Sequence, residues 1–143
     1  MRSDAGVHLP DYRLCRQTVT LYHADHTART VTRTVLHGVF LDHRRREVVL
    51  ESGSEAGSAF LLVIPETSAR RGSDYTLQVH DRVLEGEGPD VAYDDWNKFL
   101  PGLVEGLLSV QYLDPKQIGG VPCHLEAGGW WTHSGSGAHS LSN

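Results

Sequence analysis

From Gln17 to His23 the chain reads QTVTLYH, with Val19 and Leu21 on one side of an extended backbone and Thr18, Thr20 and Tyr22 on the other. Period-two alternation in a stretch rich in β-branched residues predicts a strand. ADHTA follows as a turn, and the same pattern resumes from Arg29 to His43, where Val31, Arg33 and Val35 alternate with Thr32, Thr34 and Leu36. Gly38 interrupts this run, as expected of a bulge or a close backbone approach. REVVLES predicts a further short strand, and GSEAGS a flexible loop of small residues. AFLLVIP, Ala59 to Pro65, is a continuous apolar run of strand length, which predicts a central strand buried on both faces and stopped by its proline. After the loop ETSARRGSD, YTLQVHDRVLEGEG predicts a short strand, a break near His80 and Asp81, and a second strand over RVLEGE.

One helix is expected. In VAYDDWNKFLPG, Asp94 or Asp95 can accept from the backbone N–H groups of a first turn. Trp96, Phe99 and Leu100 then share a face, and Pro101 with Gly102 ends the helix. LLSVQYLD and GVPCHLEA predict the last two strands, joined by PKQIGG. The elements lack a βαβ rhythm, so the fold class predicted is mainly β: a small antiparallel β-barrel or sandwich with one short helix. Its domain spans residues 17–131, between an N-terminal arm over 1–16 and a C-terminal arm of linker composition over 132–143.

The 143 residues suit one domain with one core, and 39% hydrophobic with 22% charged residues is within the globular range. The net charge of −5 argues against a general phosphate-binding surface. The one basic cluster, HRRREV at His43 to Val48, reads as a solvated turn. Two cysteines, Cys15 and Cys123, form neither a CxxC pair nor a disulfide framework. The N-terminus lacks the apolar core of a signal peptide and no apolar run reaches membrane-spanning length, so a cytosolic protein without signal peptide or membrane span is expected.

Three kinds of chemistry are conceivable in this sequence. The stretch GVPCHLEAGGWW places Cys123, His124 and Glu126 close together. In a strand His124 and Glu126 share a face and could chelate zinc or iron if His23, His26, His37 or His80 faced them. HADH adds two histidines at a spacing of three. None of this has the spacing of HExxH or paired CxxC motifs, so Cys123 reads as a core residue, His124 as a surface one, and no metal or cofactor is expected. No GxSxG elbow or phosphate loop is present, and SGSGAHS lies on a segment too flexible to hold a serine against a histidine. Asp94, Asp95 and Glu105 offer carboxylates, better explained by a helix N-terminus than by an acid–base pair. No catalytic residue is assigned.

The aromatic residues point instead to interfaces. Adjacent Trp130 and Trp131 face opposite ways on an extended chain, so at most one enters the core and the other is left for solvent or a partner. Trp96 is a further candidate. In the tail, Leu141 is the only large aliphatic residue. Ordering a residue costs about 1–2 kcal/mol of backbone entropy, and one buried leucine returns about 1.5–3 kcal/mol, so an ordered tail implies a neighbouring subunit or partner.

In order along the chain, VTLYH, RTVLHGVFLDH, AFLLVIP, YTLQVHDRVLEGE and LSVQYLD…GGVPCHLEAGG resemble a family of small tailed-phage structural proteins over residues 18–129. Two departures stand out: leucine replaces a tryptophan in CHLEAGG, and VH replaces a Pro-Gly turn before DRV. The layout is also similar to head-closure and head–tail connector proteins. That resemblance implies a virion protein of the neck or tail region, made in the host cytoplasm, that assembles as a homo-oligomeric ring between portal or adaptor and tail proteins. It implies subunit-exchanged arms, passive contact with DNA in the channel, and no catalysis. The alternatives are a small β-barrel metal-dependent enzyme and a ligand-binding barrel.

Overall fold

A computed structural model describes residues 11–50 and 53–132. The chain is mainly β, as expected. Seven strands form one curled antiparallel sheet, a half-barrel. They are β1 (Gln17–Asp25), β2 (Thr30–Leu50), β3 (Gly53–Pro65), β4 (Arg82–Glu85), β5 (Leu108–Ser109), β6 (Tyr112–Ile118) and β7 (Val121–Thr132), in the spatial order β5-β4-β1-β2-β3-β7-β6. Among the described residues no helix is long and apolar enough to cross a membrane.

The two edge strands, β5 and β6, are almost continuous in sequence. Residues 108–109 pair with β4 at one edge, and residues 112–118 pair with β7 at the other. Between them, Val110 donates to the Asp81 carbonyl and Gln111 to the Gly128 carbonyl, both at 2.8 Å. One kinked segment therefore serves both edges and draws the curled sheet together. LSVQYLD, expected as one strand, is split because its two halves hydrogen-bond in different directions.

Turn chemistry sets the registers. Asp25 Oδ1 accepts from the backbone N–H groups of Thr27 and Ala28, both at 3.0 Å, and closes the β1–β2 turn. These bonds hold the exposed Asp25 carboxyl below its ordinary range. Gly38 has φ +76° and is the extra residue where the β1–β2 register shifts between Gln17 and Thr18. A Cβ there would stand 2.7 Å from Ser68 Oγ, so the site combines bulge and close approach. Gly119 and Gly120, both at positive φ, make the two-residue turn between Ile118 and Val121.

The main core is aliphatic, with Val19, Leu21, Val39, Leu62, Leu77 and Val83 at 2% exposure or less. A second core lies on the other face of β1, where Tyr22, Trp96, Phe99 and Leu107 pack together.

Several expectations are corrected. GSEAGS is not a loop: β3 begins at Gly53, and these residues pair with β2. His43–Val48 is not a turn but the outer part of β2, which runs unbroken to Leu50 and absorbs the separate strand expected over REVVLES. AFLLVIP buries Phe60, Leu62 and Ile64, while Leu61 and Val63 are only half-buried, so one face carries the core. YTLQV forms no strand; its only bridge is Arg71 to Tyr75, and Tyr75 and Leu77 are buried from a looped backbone. The helix is a single 3-10 segment, Tyr93–Lys98, whose N-cap is Ala92 without a side-chain cap bond, so Asp94 and Asp95 sit inside its first turn.

Candidate functional site

Of the four residues expected at interfaces, only Trp130 is seen exposed. Its side chain is 67% accessible, while its backbone N–H is held by Gln111 Oε1 at 2.8 Å. Tyr112 pairs with Gly128 and lays its ring over that glycine, two positions before Trp130 on the same face. Trp96 is corrected: at 6% exposure it fills the chain's own second core, because the 3-10 helix turns it against Arg82 and Phe99. The Trp131 backbone pairs with Ser58, but its side chain lies outside the described residues, as do Leu141, residues 1–10 of the N-terminal arm and the C-terminal arm from residue 133.

The sequence group around His124 forms a small polar network. His124 Nε2 meets Glu126 Oε2 at 3.0 Å, and His124 Nδ1 meets the Tyr12 hydroxyl at 2.7 Å. Burial raises the Tyr12 hydroxyl pKa above its ordinary value. Both ring nitrogens of His124 are thus occupied within the chain, and the network pins residues 11–16 to β7. Leu125 enters the core; Cys123 is half-buried and is a free thiol, as is Cys15. HADH does not gather its two histidines on one partner: His23 bonds to Asp81 and His26 to the Tyr93 hydroxyl, both at 2.8 Å. Among the described residues no three His, Cys, Asp or Glu side chains come together in a way that could hold a metal ion.

The chemistry concentrates elsewhere, in a cleft of about 440 Å³ where the end of β1, the segment before β4 and the 3-10 helix meet. His23, His26, His80, Asp81, Arg82 and Trp96 line it. Arg82 pairs with Tyr22 across β4 and β1, so both side chains leave the same face of the sheet and enter the second core. The Arg82 guanidinium lies 3.9 Å from the centre of the Trp96 ring. Its Nη1 donates to the carbonyls of Trp96 at 3.0 Å and Phe99 at 2.6 Å, so it caps the C-terminal end of the 3-10 helix. Its Nε is buried and has no acceptor among the described residues. Burial lowers the Arg82 pKa to about 10, although the Asp81 charge opposes the shift.

Asp81, at 4% exposure, accepts from the Gln78 backbone N–H on Oδ2 and meets His23 Nδ1 on Oδ1, each at 2.8 Å. Burial raises its pKa and outweighs the opposite pull of His23, Gln78 and Arg82. The neighbouring His80 has φ +81°, a rare conformation for a residue with a side chain, and its N–H bonds to the Val110 carbonyl at 2.8 Å. The cleft was not anticipated from the sequence. The signal was available: in HDRVLEGE the arginine falls in phase with Leu84, on a side of the strand that a short apolar segment normally buries.

The comparisons with known proteins place the chain by family alone. No curated protein and no solved structure matches it. The family model of DUF6751, a family of unknown function, matches residues 14–129, from just before β1 to within β7, and the chain belongs to that family.

Proposed function

We propose that the chain is a non-catalytic structural subunit of a phage virion, of the head–tail connector type, which assembles as a homo-oligomeric ring between portal and tail. The observation that carries this reading is the outer part of the β2–β3 hairpin. Among the described residues, 47–50 and 53–56 pair only with each other: β1 pairs with β2 as far as Val39, and β7 with β3 as far as Gly57. A two-stranded ribbon is marginal on its own in water and has free backbone groups along both edges. A neighbouring copy that adds a strand to this ribbon would satisfy those groups. The exposed Trp130 supplies an anchor of the kind found at interface centres. The segment order that resembles small phage structural proteins, over residues 18–129, supplies the setting. The net charge of −5 suits a channel through which DNA passes without adhering.

The test is location in a particle. Mass spectrometry of purified phage particles, with antibody labelling viewed by electron microscopy, is expected to find the chain in many copies at the neck. Particles that contain none of it, in a host where the chain is expressed, would refute the reading.

A further inference from the structure

The cleft is a built site that the connector reading does not use. Its most informative residue is Arg82, which is 6% exposed and has its guanidinium carbon 3.9 Å from the centre of the Trp96 ring. Its Nη1 is spent on the Trp96 and Phe99 carbonyls, while Nε has no acceptor among the described residues. A buried guanidinium donor without an acceptor is uncommon, because such groups are normally satisfied by protein or by what binds there. The neighbouring carboxylate does not serve it: both Asp81 oxygens are engaged, by His23 and by the Gln78 N–H. His23, His26 and His80 bring three imidazoles to the same walls, and Gln78 and Asn97 bring two amides. The walls are completed by Ala24, Val79 and Leu100, with the Trp96 ring beneath the guanidinium. A planar fork with an unsatisfied donor, flanked by imidazoles and floored by an aromatic ring, matches the geometry that recognises carboxylates and phosphates. The volume, about 440 Å³, is in the range of small-molecule sites.

We propose that this cleft binds a small-molecule oxyanion, a carboxylate or phosphate group seated against Arg82 with the histidines as further donors and the body of the ligand along Leu100 and Val79. Asp81 orients His23 rather than contacting the ligand. His80, at φ +81°, lines the cleft wall beside Asp81.

The test is a nuclear magnetic resonance titration of the full chain with inorganic phosphate, with benzoate, and with neutral benzamide. At least one of the two anions is expected to give saturable shifts at the Asp81 and Arg82 amides and at the Trp96 indole N–H, and benzamide none. Phosphate alone would assign a phosphate ligand; benzoate alone would assign a carboxylate with an apolar body. Arg82→Lys, which keeps a charge but loses the planar fork, is expected to weaken binding by about tenfold. Should that variant not fold, His80→Gly, which tolerates the positive φ, is expected to weaken binding by severalfold. Absence of saturation by both anions, shifts that map away from the cleft, equal shifts with benzamide, or affinity unchanged in the folded variants would overturn the proposal.

Discussion

At its root the β2–β3 hairpin is flanked by β1 on one side and β7 on the other, and its side chains Leu36, Val39, Phe60, Leu62 and Ile64 enter the main core. Farther out, over residues 47–50 and 53–56, the same two strands pair only with each other among the described residues. The strands and pairing geometry continue without a break; only the surroundings change. Root stability belongs to the folded subunit. Among the described residues no further strand flanks the ribbon, and the proposed function has a neighbouring copy supply one.

The largest expected effect of a point change is at the root. Leu62 is fully buried and pairs with Ala127 of β7. Leu62→Ala is expected to cost about 2–5 kcal/mol, read by chemical denaturation, because the packed sheet cannot collapse around the lost volume. A cost no greater than that of an exposed substitution would mean that the root is not the core it is taken for.

The pH provides a second way to act on that core. Tyr75 is 5% exposed within it, and burial raises its hydroxyl from the ordinary 10.0 to about 12. The folded pKa is the higher one, so the neutral hydroxyl favours folding. This contribution is complete below pH 10 and is lost as pH rises from 10.0 through about 12. The loss amounts to no more than about 3 kcal/mol over those two pH units. Tyr75→Phe is expected to remove this alkaline slope, measured as the denaturation midpoint between pH 9 and 12. A slope that persists in the variant would assign it to another group.

The two regions also differ in how far their sequence could be read. Strand alternation in QTVTLYH and the apolar run AFLLVIP report a local preference that the sheet then confirms, because burial and pattern agree there. GSEAGS reads as a loop since glycine and serine carry no strand preference; it pairs because β2 runs alongside it, a cause that lies outside the segment itself. YTLQV shows the reverse. Its pattern suits a strand, but Asp81 takes the Gln78 N–H and the chain loops instead. The cleft was hidden for a similar reason. His23 and Asp81 are 58 positions apart in the sequence, and the β1–β4 pairing brings them within 2.8 Å. Trp96 was legible as a large aromatic residue on a helix face, but not the Arg82 that covers it from another strand.

The smallest expected effect on the subunit's own stability comes from the ribbon, and it tests the central claim most directly. Residues 47–56 can be replaced by Asn-Gly, a two-residue turn suited to the paired residues Arg46 and Gly57. The shortened chain is expected to keep the denaturation midpoint of the intact one within about 0.5 kcal/mol, as for changes outside the core. The decisive measurement is the solution mass of both chains by sedimentation over a range of concentrations. Assembly of the intact chain, alone or with portal or tail proteins, and a shortened chain that remains a monomer under the same conditions is the predicted result. An intact chain that stays monomeric in every mixture, or a shortened chain that assembles equally well, would contradict the account.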